Sequence, residues 1–217
     1  MPIRIKICCI GSVKEAALAV RYGASAIGLV SEMPSGPGPI SEAKITEIAA
    51  TVPPGIASFL LTSKQDVTSI IEQQRCCRTS TIQLVDRLIT GGYSDLRDAL
   101  PGISIVQVIH VNGEESIQEA VAVSHHVDAV LLDSGNQNLQ IKQLGGTGRT
   151  HDWSISRSIC EAVDKPVYLA GGLNPENVTE AIRQVRPFGV DVCSGLRPNG
   201  NLDERRLAGF VDAVKRA

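Results

Sequence analysis

The sequence predicts an α/β protein, a single-domain (β/α)8 barrel spanning residues 1–217, and three observations carry that prediction. Eight short apolar runs end in polar or glycine-rich corners. The segments between them place apolar residues at helical spacing. Capping residues mark the same boundaries independently.

The runs, in order, are Ile3 to Cys9, Ala26 to Val30, Gly55 to Leu61, Thr81 to Val85, Ile103 to Val111, Ala129 to Asp133, Pro166 to Ala170 and Gly189 to Cys193. Near-continuous apolar strands are what a parallel sheet requires when helices cover one face and barrel side chains fill the other. Val13, Ala16, Ala17 and Val20 form one helical stripe; Val178, Ala181, Ile182 and Val185 form another. Ser12 with Glu15 makes a capping box and Gly23 a stop signal, while Asn174 and Pro175 read as an N-cap and first-turn proline. An open doubly wound sheet shares this alternation, and the chain is shorter than the roughly 250 residues of a typical barrel. Eight units with tight connections favour closure into a TIM barrel.

With 217 residues, 43% of them apolar, the chain can bury one sizeable core, and no linker divides it. A formal net charge of −2 with mixed signs argues against a nucleic-acid or membrane partner and for a small, anionic ligand. Met1 to Lys6 lack the features of a signal peptide and no run approaches the roughly 20 residues of a membrane span, so the expected location is cytoplasmic. The six cysteines, Cys8, Cys9, Cys76, Cys77, Cys160 and Cys193, show neither metal-ligand spacing nor a secreted disulfide framework, and most are expected to pack as small buried hydrophobes. The surface pattern suits a monomer or a homodimer equally.

In a parallel barrel the chemistry gathers at the carboxyl ends of the strands. The first run ends Lys6-Ile7-Cys8-Cys9, and alternation puts Cys8 on the face of Lys6 and Cys9 toward the helices. An ammonium beside Cys8 would lower its pKa and suit it to act as a base; the ordinary alternative is a packed thiol. The sixth run ends Leu131-Leu132-Asp133, where partial desolvation would raise the acid's pKa for proton donation; a helix cap is the plainer role. The longest connection follows, through Gly145-Gly146-Thr147-Gly148 to Asp152-Trp153, with glycines that let a ligand approach and a tryptophan expected to anchor the sixth helix. The seventh run ends Ala170-Gly171-Gly172 and the eighth Cys193-Ser194-Gly195, the usual phosphate location of such barrels. Backbone amides of Gly172, Ser194 and Gly195 are the expected donors, making this a barrel of the phosphate-binding type.

Together these motifs resemble the phosphoribosylanthranilate isomerase family: Lys6-Ile7-Cys8, Leu131-Leu132-Asp133, Gly145 to Gly148 with Asp152-Trp153, Leu169 to Val178, and Val190-Asp191-Val192-Cys193-Ser194-Gly195. The resemblance spans the chain. It implies a cofactor-free Amadori rearrangement of a small phosphorylated sugar in tryptophan biosynthesis, with Asp133 as acid and Cys8 as base. Lys6, Gln83, Gly146, Gly171, Gly172, Asp191, Ser194 and Gly195 are the implied substrate-binding residues, and no metal is implied. Alternatives are a related isomerase for a different phosphosugar and a non-catalytic phosphosugar-binding barrel.

Three positions depart from the family pattern. Gly38, within Gly36-Pro37-Gly38-Pro39-Ile40-Ser41, stands where the family's arginine pairs with the anthranilate carboxylate. Val85-Asp86 replaces His-Gly, and a carboxylate there would repel the aglycone; Arg87 and Arg149 are the cations placed to compensate. Cys9 replaces a glycine.

Overall fold

Eight parallel strands close on themselves in chain order, each followed by a helix, in a computed structural model that describes residues 2–135 and 150–217. The strands are β1 (Arg4–Ile7), β2 (Ala26–Val30), β3 (Ala57–Thr62), β4 (Thr81–Leu84), β5 (Ser104–His110), β6 (Ala129–Asp133), β7 (Val167–Leu169) and β8 (Gly189–Val192). The helices are α1 (Val13–Arg21), α2 (Glu42–Ala49), α3 (Val67–Cys77), α4 (Tyr93–Ala99), α5 (Glu115–Ser124), α6 (Trp153–Ala162), α7 (Val178–Val185) and α8 (Glu204–Lys215). Closure is made by β1 against β8, pairing Lys6 with Asp191 and Ile7 with Val192.

Alternation along each strand divides the apolar residues into two cores. Ile5, Ile7, Ile27, Leu29, Leu60, Ile82 and Leu84 face the helices, while Cys8, Ala26, Val30, Phe59, Leu61, Val106, Val108 and Leu131 fill the barrel. Each fully buried Ile or Leu contributes about 1.5–3 kcal/mol relative to exposure. Several strands are shorter than the apolar runs that contain them, because the runs continue into buried corners: Cys8, Val85, Val111 and Ala170 lie just past the last strand residue and stay buried.

Two expected caps are corrected: Ser12 and Glu15 do not close a reciprocal capping box, and Asn174 and Pro175 precede α7 rather than begin it. Ser12 Oγ accepts from the Glu15 amide at 3.2 Å, but the Glu15 carboxylate reaches back to the Gly11 amide (2.9 Å) rather than to Ser12. Asn174 Oδ1 accepts from the amides of Glu176 and Asn177, and this turn precedes α7, whose own N-cap is Asn177. Asp152 caps α6 by accepting from the Ser154 amide (2.8 Å), and Trp153 packs against the outer core as an anchor.

Two expectations about cysteines are corrected. Cys9 does not face the helices: β1 ends at Ile7, and Cys9 adopts φ 59, which breaks the alternation and turns its side chain into the barrel-mouth core. Cys9 and Cys193, 184 residues apart, are bridged as a disulfide across the β1 and β8 ends. Gly145 to Gly148, including Gly146, and Arg149 lie outside the described residues.

Candidate active site

The carboxyl ends of the strands surround a cleft of about 670 Å³, open to solvent. Cys8, Gln83, Asp133, Gly171, Gly172, Asp191 and Ser194 all line it. Residues drawn from β1, β4, β6, β7 and β8 are therefore brought to one place. Lys6 lies beneath the cleft rather than on its wall, fully buried. Gly195 adjoins it: a side chain there would run into the Leu173 carbonyl, so the glycine lets the loops after β7 and β8 touch.

The floor is an ion pair inside the barrel. Lys6 Nζ sits 3.0 Å from Asp191 Oδ2 and 5.2 Å from the Phe59 ring centroid. Burial alone would lower the Lys6 pKa, but the charges and hydrogen bonds of Asp191 and Cys8 outweigh it, and the pKa ends above the ordinary value. Burial likewise pushes Asp191 up while Lys6 pulls it back. Removing one partner leaves an uncompensated buried charge, which costs about 3–5 kcal/mol. Lys6→Met is accordingly expected to lower unfolding free energy by about that amount in urea denaturation, with Lys6→Met/Asp191→Leu recovering most of it.

Cys8 stands directly above this pair. Burial pushes its thiol up to about 11, with the Lys6 ammonium lowering it only in part and Asp191 raising it further. The sequence expectation of a lowered pKa is thus reversed in sign, since desolvation of a thiolate outweighs one nearby cation. Space for the sulfur is provided by Gly28 on β2, where an added Cβ would lie 2.7 Å from Cys8 Sγ and 3.1 Å from Lys6 Nζ. Gly28→Ala is expected to displace the sulfur and lower kcat more than tenfold while circular dichroism stays native.

Across the cleft, Asp133 at the end of β6 has its pKa raised, first by burial, against the Ser134 amide that donates to Oδ1 at 2.7 Å. This matches the expectation of a desolvated acid. Beside it in register lies His110 of β5, a buried side chain whose Nε2 is 3.0 Å from the Val85 carbonyl. His110 was not singled out in the sequence, although a polar residue closing an apolar run is the same signal that marks Asp133. Gln83 is buried at the cleft wall, and its amide oxygen has no hydrogen-bond partner among the described residues.

The expected phosphate end, after β7 and β8, is formed by glycine-rich main chain. Gly171 and Gly172 adopt φ 81 and φ 65, conformations costly for other residues, and Asn177 donates to the Gly172 carbonyl at 3.0 Å to hold the turn. A three-residue 3-10 turn, Ser194–Leu196, follows β8. Arg197, also unflagged in the sequence, ties this loop to α1 through both oxygens of Glu15 (3.0 and 2.9 Å) and donates to the Cys8 carbonyl at 3.4 Å.

The loops after β2 and β4 carry the positions that depart from the family pattern. Gly36 and Pro37 line the cleft; Gly38, φ 79, packs against Cys9, where a Cβ would lie 2.7 Å from Cys9 Cβ. Val85 lines the cleft, while Asp86 is buried and accepts from the Arg87 amide at 2.9 Å. The Arg87 guanidinium is engaged on the outer surface by Glu119 at 3.0 Å.

A closed parallel barrel with an acid and a thiol facing one cleft at its carboxyl-terminal mouth defines the class: a (β/α)8-barrel enzyme. A family model described as N-(5'phosphoribosyl)anthranilate (PRA) isomerase matches residues 5–213. N-(5'-phosphoribosyl)anthranilate isomerase 2 of Methanosarcina mazei is 38% identical, covering 98% of this chain and 94% of its own; the Haloferax volcanii isomerase is 34% identical, covering 99% and 94%. The crystal structure of phosphoribosyl anthranilate isomerase from Thermotoga maritima superposes with a TM-score of 0.82 at 28% identity, covering 99% of this chain and all of that one. A phosphoribosyl anthranilate isomerase in complex with reduced 1-(o-carboxyphenylamino)-1-deoxyribulose 5-phosphate superposes with a TM-score of 0.79 at 26% identity and the same coverage. The chain belongs to the N-(5'-phosphoribosyl)anthranilate isomerase family.

Proposed function

We propose that the chain performs the Amadori rearrangement of N-(5'-phosphoribosyl)anthranilate with Asp133 as general acid and Cys8 as general base. One observation carries the residue assignment: Cys8 and Asp133, from opposite sides of the barrel, face one cleft whose end is lined by the main chain of Gly172 and Ser194. The phosphate rests against the amides of Gly172, Ser194 and Gly195, leaving the furanose between thiol and carboxyl.

Asp133 gives its proton to the ring oxygen as the C1–O bond breaks, and the open chain forms a Schiff base at C1. The Cys8 thiolate then takes the C2 proton, the electron pair moving into a C1–C2 double bond to give the enolamine. Protonation at C1 and loss of the enol proton yield the ketone. No electrons enter or leave, and each step needs only a placed proton donor or acceptor. Gln83 supplies its unpartnered amide oxygen to a sugar hydroxyl, and Asp191 holds Lys6 beneath the sulfur.

Fluorescent phosphoribosylanthranilate, generated in situ, provides the test. Enzyme-dependent loss of its fluorescence is the expected result; a folded protein that leaves the signal unchanged overturns the proposal. A second reading, the same phosphosugar with another aglycone, is favoured by Gly38 at the family's arginine position and by Arg87 being engaged with Glu119. The same assay decides between them.

A further inference from the structure

The Cys9–Cys193 bridge sits where three functional loops meet. Cys9 follows the base Cys8 directly, Cys193 precedes Ser194 of the phosphate end, and both sulfur-bearing residues line the cleft. The third loop is the one after β2: Gly38 is packed against Cys9, and Cys9 Sγ lies 3.6 Å from the Pro37 carbonyl on the cleft wall. Cys9 holds this place because φ 59 directs it into the mouth, a conformation that disfavours any side chain and is retained here with one.

We infer that Cys9 and Cys193 are positioning residues whose oxidation state sets substrate affinity, the disulfide holding the phosphate end and the β2 loop in one register while Arg197 holds the base. The inference rests on reading this mouth as the substrate site. Bonded sulfurs lie about 2 Å apart, whereas unbonded ones settle about 3.5–4 Å apart. Reduction therefore demands a shift of roughly 1.5–2 Å in a packed corner. Gly38 closes one side of that corner, and the Arg197 bracket on the Cys8 carbonyl restrains another. The displacement falls on the Pro37 wall or on Ser194, both of which touch the ligand space.

The exchange balances with a small-molecule dithiol as reductant. Its thiolate attacks Cys193 Sγ, the more exposed of the pair, and the S–S bond breaks with Cys9 leaving as thiolate. The second thiol of the reductant then closes a cyclic disulfide and releases Cys193. Two electrons and two protons pass to the protein.

The experiment uses the whole protein equilibrated in reduced and oxidised dithiothreitol, with free thiols counted by mass spectrometry after alkylation, and KM and kcat measured for phosphoribosylanthranilate in each state. Expected is a gain of two alkylated cysteines on reduction, at Cys9 and Cys193, with KM raised about fivefold or more and kcat within about twofold. Cys9→Ser/Cys193→Ser should behave as the reduced enzyme in both buffers. Equal KM in the two states, a bridge that never forms, or one that resists the dithiol in the native protein each overturn the inference. A merely structural staple would change thermal stability without this KM-against-kcat split. Loss of turnover in every state would instead count against the proposed function.

Discussion

Cys8→Ala is expected to lower kcat by about 10²–10⁴-fold, the range general-base catalysis contributes, while affinity for the reduced product analogue stays within about threefold. In the proposed mechanism Sγ meets the C2 proton, and the phosphate is held elsewhere, by main chain after β7 and β8. The sulfur fills a small space between Gly28 and Lys6, so its loss leaves a small cavity without disturbing the ion pair. Cys8→Ser keeps the volume but replaces the thiol by a far weaker acid, and should be nearly as inactive. Steady-state kinetics beside calorimetric titration of the analogue separate lost chemistry from lost binding.

Asp133→Asn carries the second large expected effect, a fall in kcat of about 10²–10⁴-fold. The amide oxygen can still accept from the Ser134 amide, as Oδ1 does at 2.7 Å, so the loop after β6 keeps its anchor. What disappears is a proton for the ring oxygen, and the loss should fall on kcat rather than on analogue binding. Equal losses in both would assign Asp133 to sugar binding.

The barrel was legible because its requirements are local. The runs at Ala26–Val30 and Ala129–Asp133 match strands residue for residue, and the placement of Lys6 and Cys8 on one face followed from simple alternation. Cys9 was not legible: alternation holds only while the strand continues, and nothing in Cys8-Cys9-Ile10 announces a left-handed residue. Glycine at this position in the family was the available hint, since glycine tolerates φ near 60° at no cost. The partnership with Cys193 lies 184 residues away and has no spacing signature, but the register of a closed barrel places the end of the eighth strand beside the end of the first.

The sign of the Cys8 shift was misread for a different reason. The sequence shows the lysine two residues away but not the depth at which both are buried, and desolvation is the larger cause. His110 and Arg197 escaped because each acts through a tertiary partner, Val85 and Glu15 respectively, that no local pattern names.

The acid–base pairing is tested most directly by the pH dependence of kcat/KM for wild type and Asp133→Asn, since this ratio reports ionisations of the free enzyme. The proposed mechanism needs Asp133 protonated and Cys8 ionised at once. Between the raised pKa of Asp133 and the Cys8 value of about 11, each pH unit loses as much of the acid as it gains of the base. The profile should therefore be flat between those two limits, with no downturn near the ordinary thiol value of about 8.5. Without the acid, the variant's residual rate depends on thiolate alone and should climb about tenfold per pH unit toward 11. Profiles of the same shape in both proteins would contradict the account.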